Sequence, residues 1–170
     1  MEVLNTGKRM VNIREIQDID MPLIRRWRNH DRKWFHDQTI ITEAMQNKWH
    51  ERYLRDASDM LFIAETERVP VGMYGLININ QQNAEAGRLI IGEKGYTGKS
   101  LSTEIMRSVL RFGFEELLLD GIYTDVKAKN KAAAITMIKA GYEIVGFRMF
   151  QAYGVVHLNI TKEEFQKSGG

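Results

Sequence analysis

Apolar residues recur along the chain with two periods, and the switches between them divide it into elements. Val11 to Ile16 alternates and predicts a strand. Asp20 is placed to cap a helix running through Asn29, with Ile19, Leu23, Ile24 and Trp27 on one side. Asp31 to Thr39 mixes polar residues with Trp34, Phe35 and His36 and reads as a short helix or loop. Thr42 is a candidate N-cap for a second helix to Arg55, with Met45, Trp49 and Tyr53 at i, i+4 and i+8. Met60 to Glu65 and Val69 to Ile79 read as strands joined at Thr66-Glu-Arg68, and Asn83 to Ile91 as another. A long helix from about Lys99 to Leu117 follows, its buried stripe marked by Leu101, Ile105, Val109 and Phe112. Ile122 to Val126 reads as a strand. Asn130 to Ala140 reads as a helix stopped by Gly141 at its C′ position. Ile144 to Phe150 and Val155 to Thr161 form a closing hairpin. The order β-α-α-β-β-β-α-β-α-β-β predicts a mixed α/β sheet flanked by about four helices.

Composition narrows the class. The 170 residues are 44% hydrophobic and 27% charged, which fits one soluble domain over residues 1–170. Met1 to Arg9 and Lys167 to Gly170 are expected to be flexible ends. The net charge of +2, from 24 basic and 22 acidic residues, gives no electrostatic case for a nucleic-acid partner. The chain has no cysteine, which excludes disulfides and thiolate metal sites. No apolar run approaches ~18 residues and the N-terminus lacks a signal-peptide core, so no membrane partner and a cytoplasmic location are expected.

The richest chemistry lies in Gly95-Tyr-Thr-Gly-Lys-Ser-Leu-Ser-Thr-Glu104, a glycine-bearing turn that opens into the long helix. Free N–H groups and the positive end of a helix dipole make such a turn an anion site. A nucleotide P-loop, a pyrophosphate cradle for coenzyme A and an ordinary tight turn are all compatible with the loop alone. Walker A requires glycine, four residues, then Gly-Lys-Ser/Thr. Gly98-Lys99-Ser100 supplies the end, but position 93 is glutamate and Gly92 stands one place too early. Asp120 and Asp125 are the nearest candidates for a Mg²⁺ ligand.

In its context the loop resembles the acetyl-CoA loop of the GNAT superfamily of N-acetyltransferases. Gly98, Lys99, Leu101, Thr103 and Glu104 stand where that pattern has them. Ser100 replaces the second loop glycine, Ser102 replaces a small residue, and Gly95 stands where Gln or Arg is usual. Ala84-Glu-Ala-Gly-Arg-Leu-Ile-Ile91 resembles the family's central strand. Asn130-Lys-Ala-Ala133 through Lys139-Ala-Gly141-Tyr142 resembles its next helix. The resemblance runs from about Met10 to Thr161.

That resemblance implies acetyl-CoA as co-substrate, no metal, and direct attack by a primary amine in a ternary complex. Backbone amides of Thr97, Gly98, Lys99, Ser100, Leu101 and Ser102 are expected to hold the pyrophosphate. A bulge at Leu89, Ile90 and Ile91 is expected to offer N–H groups to the thioester carbonyl. Asn130 and Ala133 are expected against the coenzyme. Lys94, Lys99 and Lys129 are further candidates for its phosphates, although solubility explains Lys94 and Lys129 as simply. Glu85 is the expected base, acting directly or through water, with His30, His36, His50 and His157 as alternatives. The family often places an acid tyrosine where this chain has Met137. Tyr74, Tyr142 and Tyr153 substitute for it only if the fold brings them in.

The acceptor is expected against the first two helices. Trp27-Arg-Asn-His30 resembles a segment of acetyltransferases acting on nucleotide-linked amino sugars, which makes such a small-molecule amine the expected partner. Arg28, Asn29, His30, Trp34, Phe35 and Tyr74 are the expected contacts, with Arg28 suited to a phosphate or carboxylate. A protein N-terminal α-amine and a polyamine stay open. Asp31, Asp37, Glu43 and Glu85 favour a polyamine, and the cluster Arg25, Arg26, Arg28, Arg32 and Lys33 opposes it. Outside enzymology, a non-catalytic acyl-CoA-binding protein fits the same residues. Monomer and homodimer are both compatible with the sequence.

Overall fold

The computed structural model describes residues 11–93, 95 and 100–169. Seven strands form one sheet: β1 (Asn12–Glu15), β2 (Met60–Thr66), β3 (Val69–Ile77), β4 (Asn83–Ile91), β5 (Gly121–Lys127), β6 (Glu143–Phe150) and β7 (Tyr153–Thr161). Their spatial order is β1-β2-β3-β4-β5-β7-β6. The β4–β5 pair is parallel, and the other pairs are antiparallel. Among the described residues five α-helices accompany the sheet: α1 (Met21–His30), α2 (Glu43–Tyr53), α3 (Leu101–Glu115), α4 (Lys131–Ala140) and α5 (Lys162–Lys167). The fold is the mixed α/β sheet expected from the periodicity, with α5 in addition.

Two apolar clusters sandwich the sheet. Helices α3, α4 and α5 bury Ile105, Met106, Leu110, Met137, Ala140 and Phe165 against Phe62, Leu76, Ala84, Ala86 and Ile122. On the opposite face α1 buries Ile24 and Trp27 against Leu61, Ile63, Met73 and Ile90. Strand alternation accounts for the division: Ala84 and Ala86 of β4 point to the α3 side, and Glu85 between them points to the other.

Helix boundaries follow local chemistry. Thr42 accepts from the Met45 amide and Asn130 from the Ala133 amide, both as N-caps. Gly141 ends α4 at φ 110°, a left-handed position that favours glycine. Asp20 precedes α1 but does not cap it with its side chain. Its carboxylate accepts from the Gln17 amide at 2.8 Å and from both Arg14 terminal nitrogens at 2.7 and 2.9 Å. Burial alone would raise this carboxyl, but those bonds outweigh it and hold it below the usual range. A turn of 3₁₀ helix over Asp18–Asp20 therefore leads into α1 and leaves Ile19 exposed, off the expected stripe.

In α2 the expected stripe is also shifted. Met45 is exposed, and the buried residue is Gln46, whose side-chain amide donates to the Met21 carbonyl at 2.7 Å. Helix α5 was absent from the expectation because six residues carry too little periodicity. Its start is fixed by a capping box between Thr161 and Glu164, and Phe165 is buried beside Phe114. Lys167 and Ser168, expected in a frayed end, belong to this helix and its cap, and Arg107 donates to the Ser168 hydroxyl at 3.1 Å.

Helix α1 is seated on the end of β4 by a close contact. The Trp27 ring lies so near Gly92 that a Cβ there would fall 1.8 Å from Trp27 Cε2. Gly92→Ala is expected to lift α1 and destabilise the protein by about 1–3 kcal/mol, the usual range for overpacking. Chemical denaturation followed by tryptophan fluorescence checks this.

Candidate active site

The site begins where the sheet comes apart. Strand β4 pairs with β5 at Asn83–Gly121, Ala84–Ile122 and Glu85–Tyr123, and the pairing ends there. From Ala86 onward the edge of β4 that faces β5 is free of that ladder. An edge of this kind presents N–H and C=O groups to any extended, amide-bearing molecule laid beside it.

The other edge of β4 is irregular at the same level. Pairing with β3 passes from Met73–Ile90 to Gly75–Gly87, so three steps of β4 oppose two of β3. The surplus residue lies at Arg88–Leu89, with Arg88 at φ 61°. A bidentate ion pair to Asp59 at 2.6 and 2.8 Å grips the Arg88 guanidinium from outside the bulge.

A cleft of about 900 Å³ opens over this point. Its floor is Leu89, Ile90, Ile91 and Gly92. One wall is the start of α4 with Asn130, Ala132, Ala133 and Thr136, and Ser102 enters from the start of α3. The opposite wall is Trp27, His30, Asp31, Trp34 and Phe35. That wall is tethered across the split: Lys127 of β5, itself buried, donates to the Phe35 carbonyl at 2.5 Å and the Lys33 carbonyl at 3.3 Å. His36 bonds the Tyr153 hydroxyl beyond it. Two helix N-termini and a free strand edge thus face one cavity, an arrangement suited to a phosphorylated, amide-containing ligand.

The expected residues sort unevenly. Leu89, Ile90, Ile91, Ser102, Asn130 and Ala133, named from sequence as cofactor contacts, line the cleft, and His30, Trp34 and Phe35, named for the acceptor, line its opposite wall. The Leu101 side chain is buried in the α3 core, while its backbone amide, the group expected to act, stands at the first residue of α3. Thr97, Gly98 and Lys99, with Lys94, lie outside the described residues. Asn29 spends its amide between the Ile41 N–H and C=O, at 2.7 and 2.9 Å, and lines neither this cleft nor the smaller cavity beside it. Tyr74, expected at the substrate, is a core residue. Its hydroxyl lies 3.4 Å from that of Tyr142 and 4.0 Å from the Met137 sulfur, and burial pushes its ionisation above the ordinary value. Tyr142 is equally buried and raised, first by burial and then by Tyr74. Neither phenol substitutes for the family's acid, and among the described residues no tyrosine lines the cleft.

Glu85 lies outside both cavities, on the α1 face of β4, and accepts from the Asn78 side-chain amide at 2.9 Å. Strand rise separates it from Leu89 by on the order of 13 Å. Arg26, Trp27, Gly92, Glu93, Ala132 and Thr136 line the cleft without having been expected there. The small residues behind Asn130 were the available signal, since a ligand can approach a helix start only where side chains are short. Arg88 carried no sequence signal, because a positive φ in a strand is set by pairing. Among the described residues no three His, Asp or Glu side chains are grouped to hold a metal ion. No described helix is long and apolar enough to cross a membrane.

The family model described as the acetyltransferase (GNAT) domain matches residues 11–143. The chain belongs to the GNAT acetyltransferase family. Within this family it is 24% identical over 146 residues to spermidine N(1)-acetyltransferase of Escherichia coli, covering 84% of this chain and 78% of that protein. An uncharacterized prophage-derived N-acetyltransferase of Bacillus subtilis, YokL, is 26% identical over 129 residues, 72% of this chain and 73% of its own. Among solved structures, spermidine N-acetyltransferase from Vibrio cholerae with CoA and spermine superposes at a TM-score of 0.82 and 20% identity, covering 92% of this chain and 98% of the other. AAC(6')-Ib with ribostamycin and coenzyme A superposes at 0.81 and 20% identity, covering 94% and 98%. These superpositions give the GNAT fold to the split sheet described above.

One departure from the GNAT pattern has a direct structural reading. Ser100, in place of the second loop glycine, stands before α3 at φ 56°. A left-handed conformation disfavours a non-glycine residue by about 1–2 kcal/mol. Ser100→Gly is expected to stabilise the protein by about 1 kcal/mol without weakening coenzyme A binding, and Ser100→Val to destabilise it. Urea denaturation with and without coenzyme A measures both.

Proposed function

We propose that this chain transfers an acetyl group from acetyl-CoA to a primary amine of a small molecule, by direct attack in a ternary complex. The observation that carries the reading is the parting of β4 from β5 after Glu85, beside the Arg88–Leu89 bulge and above two helix N-termini. The pantetheine amides add to the free edge of β4. The thioester carbonyl meets the N–H groups at the bulge, which stabilise the oxyanion of the tetrahedral intermediate. The start of α3, with Ser100 and Ser102, takes the pyrophosphate.

An alkyl amine has a pKa around 10.4, so roughly one molecule in 2,500 is neutral at pH 7. Glu85 removes the proton through intervening water, since strand rise rules out direct contact at the bulge. His30 is the competing base. It lines the cleft, and its Nδ1 lies 2.8 Å from Asp31 Oδ1. With no tyrosine at the cleft wall among the described residues, the leaving thiolate takes its proton from water. A thiol pKa near 8.5 makes it a tolerable leaving group at neutral pH.

Among acceptors, a polyamine is supported by the spermidine acetyltransferase relatives, and an aminoglycoside by the structural neighbours. A nucleotide-linked amino sugar is supported only by the Trp27–His30 segment.

Thiol release from acetyl-CoA across spermidine, an aminoglycoside, a nucleotide amino sugar and N-terminal peptides tests the reading. Turnover on at least one small amine is expected. Acetyl-CoA binding without turnover on any of them would leave an acyl-CoA-binding protein. In Glu85→Gln, kcat/KM at pH 7 is expected to fall by about 10²-fold, within the range of general-base effects. An unchanged pH–rate profile in that variant moves the base to His30.

A further inference from the structure

Beside the coenzyme cleft lies a second cavity of about 210 Å³, between α1, α2 and the sheet. At ~30 Å³ per water it holds roughly seven water volumes. The bulge is the partition between the two spaces: Arg88 lines the smaller and Leu89 the larger. A group bound in the second cavity therefore sits next to the position of the thioester carbonyl.

The cavity has apolar walls, including Ile24, Trp49 and Met73, and three guanidinium groups, Arg25, Arg28 and Arg88. Two of these have carboxylate partners. Arg88 is held by Asp59, and Arg25 lies 3.5 Å from Glu43, whose side chain is 75% exposed. Arg28 differs. One of its terminal nitrogens donates to the Asp37 carbonyl at 2.9 Å, and its guanidinium stacks 3.5 Å above the Phe35 ring. Its other terminal nitrogen, Nη1, is buried with no hydrogen-bond partner among the described residues. A buried charged donor left unpaired is strongly unfavourable. Burial is the main influence on Arg28 and weakens its hold on its proton. Asp37 opposes that effect and Arg88 reinforces it. Lys127 is also depressed, by burial and then by Lys129 and Arg28. The local field is therefore positive, and a stacked, preorganised guanidinium fork faces a cavity large enough for a small oxyanion.

We propose that this second cavity is an anion subsite of the acceptor, so that the amine acetylated by this protein also carries a carboxylate or phosphate group, held by Arg28 with Arg25 beside it. The proposal rests on the acetyl-transfer reading above. It turns the acceptor away from polyamines, because a polycation entering here meets like charge.

The test compares amines that differ in their charged group: 4-aminobutyrate and phosphoethanolamine against propylamine, ethanolamine and spermidine. The anionic amines are expected to show kcat/KM at least about tenfold above the neutral ones, and the better of the two identifies carboxylate or phosphate as the anion. In Arg28→Met and Arg25→Met that preference is expected to drop about tenfold, mostly through KM. Thermal melting confirms that each variant folds. Preference for spermidine, equal rates across charge, or an unchanged preference in both variants overturns the subsite while leaving acetyl transfer standing. If no amine is acetylated, the functional reading fails and the subsite is decided by melting shifts alone. A shift with phosphoethanolamine or 4-aminobutyrate that Arg28→Met abolishes supports it, and no shift with either overturns it.

Discussion

The structure depends on the parting of β4 from β5. Three residue pairs join these parallel strands, and beyond Glu85 and Tyr123 each goes its own way. A sheet torn open at its middle would normally expose backbone groups to no purpose. Here the tear lies between the starts of α3 and α4, whose free N–H groups face the same space. In the function we propose, the coenzyme acts as the missing strand, and the helix starts receive its charged end. In that reading the β4 bulge aims N–H groups at the carbonyl to be attacked.

Keeping the tear open in one shape requires bracing on both sides. On the α1 side, the Trp27 ring packs closely on Gly92, and Arg88 is pinned outside the bulge by Asp59. On the β5 side, Lys127 reaches across to the carbonyls of Lys33 and Phe35, tying the turn after α1 to the far half of the sheet. Phe35 then carries the Arg28 guanidinium on its ring. The same tether that walls the coenzyme cleft therefore holds the cation that faces the second cavity. In that reading cofactor and acceptor positions share a framework, so a change at Phe35 acts on both.

The sequence made the architecture readable wherever a period ran long enough. Strand and helix order followed from alternation and from the α3 stripe, and Thr42, Asn130 and Gly141 marked helix ends by their own chemistry. Failures occurred where tertiary contacts override local pattern. Asp20 does not cap α1 with its side chain because Arg14, six residues earlier, and the Gln17 amide take its carboxylate. Gln46 is buried in place of the expected Met45, its side-chain amide donating to the Met21 carbonyl across the fold. At the site, Leu89 to Ile91 and Asn130 were legible through resemblance, since they sit on elements whose order is regular. Tyr74 was misread because a motif gives position along the chain and not the side of the sheet a residue faces. Arg88 and the orphaned nitrogen of Arg28 were invisible, as both arise from pairing across the fold.

Amide hydrogen exchange along β4, with and without coenzyme A, is the most direct measurement of the central claim. The account predicts that the β4 amides beyond Glu85 that point away from β3, Leu89 and Ile91 among them, exchange faster than those of the paired segment Asn83–Glu85. Coenzyme A should slow them, with Leu89 and Ile91 most affected. Binding that leaves the β4 amides unchanged, or that protects only the β6–β7 end of the sheet, would contradict it.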